Sequence, residues 1–181
     1  FYSLPDPKLQ GRAKGNLEFL DPDFEKISSE EKVNFPFDLE NLSLNFDTRL
    51  KTEQSFYSDS ISFMVHGDSN GFLDGEIKTL YSLGISMIAD DSESNQREKY
   101  DSTNIGRKQT DGWYSTSRLH SNLTPSKEIV DKACYRTLRK LGGKKPVSQE
   151  VPVIFCSEMA QSFFSKIASA LMGENIFRKQ S

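Results

Sequence analysis

The chain has 181 residues, 35% of them apolar and 27% charged, with a formal net charge of −3. That length suits one domain, or one domain with an extension. The slightly acidic balance gives no global electrostatic case for nucleic acid or a membrane surface, no apolar run approaches the ~20 residues that span a bilayer, and no secretory signal opens the chain.

Residues 1–35 carry three prolines, two glycines and many charges. They read as an extended connector arm, because each proline of Leu4-Pro5-Asp6-Pro7 pushes its predecessor out of the helical region. Leu17, Phe19 and Leu20 are its candidate anchors. From Ser28 to Phe56 the spacing of Leu39, Leu42, Leu44, Phe46, Leu50 and Phe56 predicts a helical region, interrupted near Pro36 and extending over about residues 39–56. Glu53 falls late in it.

Strands follow. Ile61, Phe63 and Val65 alternate with Ser60, Ser62 and Met64, the period of a half-buried strand. Gly67–Gly71 is dense in turn formers. Phe72-Leu73 restarts an extended run toward Tyr81, with a bulge or turn expected at Asp74-Gly75. Leu83, Ile85, Met87 and Ala89 alternate over the next strand. An acidic turn at Asp90–Ser94 and a return strand over Gln96–Asn104 complete an antiparallel meander. Gln109–Leu123 holds the only tryptophan, Trp113, with Tyr114, Arg118 and His120. Such aromatics either make a binding surface or pin a loop to the sheet.

Thr124-Pro125 opens the clearest helix, with threonine as N-cap, proline at the first helical position and Glu128 in the first turn. Ile129, Val130, Ala133, Cys134, Leu138 and Leu141 share a face, and Gly142-Gly143 ends the helix. Arg136, Arg139, Lys140, Lys144 and Lys145 suit its negative end without a phosphate or DNA ligand. Val151, Val153, Ile154 and Phe155 then predict a short interior strand. Ser157 is placed to cap a helix whose Met159, Phe163, Phe164, Ile167, Ala168 and Leu171 make a stripe to be buried, with Gly173 at its end. The expected fold is α+β: an antiparallel sheet built mainly from residues 59–104 and 151–156, with helices near 39–56, 125–142 and 158–172 packed on it. The connector (1–35) precedes one α+β domain (36–181). Cys134 and Cys156 lie among apolar neighbours, so two buried free thiols in a reducing compartment are expected.

Several strings resemble the TldD/PmbA family in order and spacing: Leu17–Pro22 (LEFLDP), Asn70-Gly71-Phe72, Ser86–Asp91 (SMIADD), Arg97–Thr103 (REKYDST), Arg136–Pro146 (RTLRKLGGKKP) and the Pro152-Val153 strand leading into a helix. In the TldD branch that helix bears an HExxxH metallopeptidase motif. Laid on this chain from Pro152 without a gap, the pattern puts Ser165 at the first His, Lys166 at the Glu and Ala170 at the second His. None of these can serve as a zinc donor or as the general base, and a protonated lysine would repel the metal. The chain therefore resembles the PmbA (TldE) branch.

The resemblance implies a cytoplasmic protein that pairs with a TldD-like subunit or with itself and handles unfolded or small peptides. Zinc is expected on the TldD-like partner and no cofactor or metal on this chain; nucleic acid and membrane are not expected partners. It also implies that these residues are the central part of a longer protein lacking the family's C-terminal β-rich domain. The start at Phe1, without an initiator methionine, agrees with that expectation.

Other chemistry is sparse. His66 and His120 are single and far apart, there is no GxSxG elbow, and Gly67–Gly71 lacks the lysine of a phosphate loop. Asp90, Asp91 and Glu93 read as a solvated turn rather than a calcium site. Three readings stand: a non-catalytic subunit of a zinc peptidase complex; a peptide- or protein-binding module without proteolytic role, using exposed strand edges; and an enzyme built from His66, His120 or the acidic turn should they converge.

Overall fold

A capping box starts the first helix, α1 (Ser29–Ser43): the Ser28 hydroxyl accepts from the Glu31 amide while the Glu31 carboxylate accepts from the Ser28 amide. The computed structural model describes residues 4, 6, 8, 17–90, 108–143 and 146–180. Helix α1 runs unbroken through Pro36, where an interruption was expected. An interior proline costs ~3 kcal/mol, which the first-turn cap and the burial of Leu39 and Phe35 against the core offset.

The chain then departs from the predicted helix. It turns at Asp47–Arg49 and enters β1 (Leu50–Gly67), so residues 50–56 are strand. β1 pairs antiparallel with β2 (Leu73–Asp90), which pairs antiparallel with β3 (Lys108–Ser117), giving the order β1-β2-β3. The register shifts between Thr52 and Gln54, leaving Glu53 as the extra residue of a bulge. Before it Leu50 and Thr52 face the core; after it Ser55 and Tyr57 do. That switch of parity is why the apolar spacing there imitated a poor helix. Asp74-Gly75 makes neither bulge nor turn, since β2 passes straight through it. The hairpin turn is at Asp68–Phe72, closed by the Asp68 amide on the Phe72 carbonyl. The predicted strand 96–104 and most of the acidic turn lie outside the described residues.

One face of the sheet is covered by α1 and α2 (Ser126–Leu138). Every second residue of β2 from Thr79 to Ala89 is buried there, with Leu39, Ile129, Val130, Ala133 and Cys134 opposite. This is the α+β architecture expected, made from helices on one face of an antiparallel sheet. Pro125, rather than Thr124, sits at the α2 N-cap.

The structure divides into two units, Phe1–Lys144 and Lys145–Ser181. In the second, residues 151–156 form no strand, and Val151, Val153, Ile154 and Phe155 are exposed. A strand needs a neighbour to satisfy its amides, and none is supplied within that unit. Helix α3 (Ser157–Ala170) follows, then the short α4 (Gly173–Phe177). Cys156 rather than Ser157 occupies the α3 N-cap, without a side-chain cap, and Gly173 begins α4 instead of ending α3. Cys156 is exposed, contrary to the expectation of two buried thiols; Cys134 is buried, and both are free.

Candidate functional site

Helix α3 carries the three positions singled out by the metallopeptidase pattern. Ser165 and Lys166 are exposed and Ala170 is the last helical residue, partly covered. The Ser165 hydroxyl donates to the Gln161 carbonyl one turn back (2.9 Å). This is the local bonding expected of a mid-helix serine, and it leaves no imidazole, thiolate or carboxylate at any of the three places. The helix presents Met159, Phe163, Phe164, Ile167 and Leu171 to the outside, with Phe155 packed edge-on against Phe163 (centroids 4.8 Å). Sequence periodicity located the stripe; the burial it predicted is absent. Among the described residues no three His, Cys, Asp or Glu side chains gather to hold a metal ion. No described helix is long and apolar enough to cross a membrane.

A second cluster forms where the connector meets the sheet. Asp21 is buried, and its two carboxylate oxygens accept the amides of His120 (2.8 Å) and Asp23 (2.9 Å). Its own amide donates to the Thr79 hydroxyl (2.8 Å), which in turn donates to the Arg118 carbonyl (2.8 Å), while the Thr79 amide donates to the Phe19 carbonyl (2.9 Å). Burial opposes ionisation of Asp21, yet the hydrogen bonds from His120 and Asp23 hold its carboxyl below the usual range. The His120 ring packs against Phe35, Tyr81 and Tyr57 (centroids 5.1, 5.4 and 6.3 Å). Burial first, and then Asp21, pushes the fully buried Tyr81 phenol well up.

This cluster braces the connector against the sheet. Both Asp21 oxygens are engaged by backbone amides, and the His120 ring is held by aromatic faces. His66 does not join it. That residue pairs with Asp74 and packs on Phe72 at the hairpin tip, seven residues or about 23 Å along β2 from Tyr81. Asp21 and Tyr81 were not singled out from the sequence, because most of their partners lie on other elements, up to 99 positions away; the one signal was the LEFLDP string.

The basic residues of α2 are accounted for within the fold. Lys132 lies over the Trp113 ring (3.5 Å to its centroid) and Arg136 beside it (5.1 Å). Arg136 and Lys140 pair with Asp111 (3.4 and 2.8 Å), and Arg139 lies over Tyr135. Lys144 and Lys145 fall outside the described residues. Trp113 thus pins β3 to α2: the segment expected to be a loop held to the sheet is itself a strand of it, fastened to a helix. Tyr114 points to the open face instead. There it flanks Gly84 with Phe56; a β-carbon at Gly84 would stand 2.6 and 2.7 Å from these two side chains. Phe56, Tyr114, Gln54, Ser86 and Gly112 border a shallow cleft of about 280 Å³.

These arrangements can be set beside known proteins. The family model for the PmbA/TldA metallopeptidase central domain matches residues 22–141. The chain belongs to the PmbA/TldD family. It is 30% identical over its whole length to a metalloprotease PmbA homolog of Buchnera aphidicola (subspecies Acyrthosiphon pisum), covering 37% of that protein. It is 27% identical to metalloprotease PmbA of Escherichia coli O157:H7, covering 99% of this chain and 38% of that one. Among solved structures, a proposed modulator of DNA gyrase from Bacteroides thetaiotaomicron matches with a TM-score of 0.82 and 26% identity, over 99% of this chain and 38% of that one. A similarly described protein from Thermotoga maritima, 19% identical, shares the fold with a TM-score of 0.55 over 78% of this chain and 28% of that one. The chain therefore spans a little over a third of the length of the relatives it matches, and the central-domain match ends before α3.

Proposed function

We propose that this PmbA/TldD-family chain belongs to a non-catalytic, PmbA-like subunit of a zinc peptidase, which pairs with a TldD-like subunit and helps hold unfolded or small peptides for it. The observation that carries the reading is the donor set of α3. Ser165, Lys166 and Ala170 stand where the TldD pattern requires His, Glu and His, so zinc and the hydrolytic water belong to the partner in this scheme. The exposed stripe of α3 is the surface that such an assembly would cover.

A peptide-binding role has its own support. β3 pairs β2 only as far as Tyr81. Beyond it the backbone of Leu73 and Ile77 lies in step with Thr79, whose amide donates to the Phe19 carbonyl, while the Gly75 amide donates to the Asp74 carboxylate. An extended peptide could continue that pairing by strand addition. This edge also supports the alternative of a binding module without proteolytic role.

The deciding experiment assays bound zinc and peptide cleavage on the full-length protein, alone and mixed with a TldD-like subunit of the same organism. Zinc and cleavage only in a co-eluting mixture are the expected result. Stoichiometric zinc with cleavage by this protein alone overturns the proposal. A stable peptide complex with no effect on cleavage would favour the binding-module alternative.

A further inference from the structure

Thr79 is gripped by two parts of the connector, and the two grips are built differently. Its hydroxyl belongs to the Asp21 brace. It accepts the Asp21 amide (2.8 Å) and donates to the Arg118 carbonyl (2.8 Å), with the Phe19 carbonyl farther off at 3.4 Å. Its amide instead donates to the Phe19 carbonyl (2.9 Å), and the segment around Phe19 is thinly held. Leu17 and Leu20 are 46% and 43% exposed. The Phe19 ring lies beside Arg118 (4.3 Å to its centroid) and Lys78 (5.3 Å) rather than in the core. Glu18, just before it, has a positive φ of 48°, a conformation that a residue with a β-carbon adopts at a cost. The connector is thus fixed at Asp21 and lightly seated ahead of it.

The edge that Phe19 occupies is the one on which the peptide-holding reading places an extended peptide. Alternate residues of a strand turn their amides to the same side, so beyond β3 this edge is made by Thr79, Ile77, Gly75 and Leu73. Phe19 takes the Thr79 amide, and the Asp74 carboxylate takes that of Gly75 (2.8 Å). Between them lies Ile77, a single rung, whereas a strand runs to at least ~3 residues. A peptide lengthens its pairing most readily by dislodging the weaker neighbour, Phe19. We propose that residues 17–20 are a displaceable strap, and that an extended peptide with an aromatic side chain docks on the Thr79 rung by replacing it. The incoming ring takes the place of Phe19 beside Arg118 and Lys78, while Asp21 stays as the hinge. This rests on the peptide-holding reading and adds to it a gate and a preferred side chain.

The test measures binding of a blocked, fluorescein-labelled peptide of sequence LEFLD, that of residues 17–21, to the full-length protein. Phe19→Ala removes the strap's ring and leaves the Asp21 brace, so affinity should rise about 10-fold as more of the protein has an open edge. Glu18→Gly relieves the backbone and seats the strap more firmly, so affinity should fall about 3-fold. Equal binding by wild type and both variants overturns the strap and leaves the peptide-holding reading standing. Binding by none of the three overturns both. Hydrogen exchange resolved to single amides, without peptide, gives an independent answer. The Thr79 amide should be about 10-fold less protected than the His120 amide, and less again in Phe19→Ala. Equal protection of the two amides would mean that the strap opens only together with the brace, and overturns the proposal.

Discussion

Helices α2 and α3 are nearly equal in length and both amphipathic, yet their apolar stripes have opposite fates. Ile129, Val130, Ala133, Cys134 and Thr137 of α2 are at most 1% exposed, whereas Met159, Phe163, Phe164, Ile167 and Leu171 of α3 are 52–70% exposed. The difference is not in the helices but in what faces them. α2 lies on a sheet whose inward side chains were waiting for it, while the unit holding α3 contains no second layer. Amphipathicity states which face of a helix is meant to be covered. It does not state by what.

Cysteine chemistry breaks this comparison most sharply. Burial, with lesser help from the Asp131 and Asp47 carboxylates, pushes the Cys134 thiol up to about 11, and its reaction must wait for opening of the core. With stabilities of 5–15 kcal/mol typical of domains, that makes it about 10³-fold or more slower than an exposed thiol. Titration with a thiol reagent at pH 8 should therefore show fast modification of Cys156 and none of Cys134 until denaturant is added. Equal rates would mean that the two helices are equally open.

Truncation gives the next largest contrast. Ile129→Ala should cost about 2–5 kcal/mol in denaturant unfolding, because it leaves a cavity against Leu39 and the sheet. Asp21→Ala should cost about 2 kcal/mol, since it leaves the part-buried amide of His120 without its acceptor. Its pH dependence has a definite sign. The folded-state value of Asp21 is depressed, so its stabilisation is present above the unfolded value near ~3.9 and is lost as the pH falls through the lower folded value. The gap between wild type and Asp21→Ala should accordingly narrow below about pH 4. The smallest effect belongs to α3: Phe163→Ala should change the stability of the first unit by less than ~0.5 kcal/mol, while weakening capture by a TldD-like subunit. A large loss of core stability from this substitution would show that the stripe already has a cover.

These contrasts also mark how far the sequence could be read. The alternation from Ile61 to Ala89 read as strand, as it is, but divided Leu73–Asp90 into two strands where the structure has one, β2; it is plainest from Thr79 to Ala89, where one face is covered and the other is less so. The first turns of β1 were hidden by a single residue, Glu53, whose insertion flips the parity on which strand recognition depends. β3 was hidden for another reason. Of its core-facing positions only Trp113 is apolar; Asp111 meets Lys140 and Arg136, and the Ser115 hydroxyl accepts the Thr124 amide just ahead of α2. Polar groups that look solvent-facing are here the fasteners between a strand and its helix. Of the candidate site, the three α3 positions were legible because a family pattern marks them, whereas the Asp21 brace depends on contacts spanning 99 residues that no local spacing records.

The placement of the sole tryptophan has a practical consequence. Trp113 lies between the sheet core and the cations of α2, so its fluorescence reports on that one interface alone. Emission should shift when α2 lifts from β3 and stay silent to events at the hairpin tip. A ligand or partner that alters it must act through the first unit's core, which gives a label-free way to tell where in this molecule a binding event is felt.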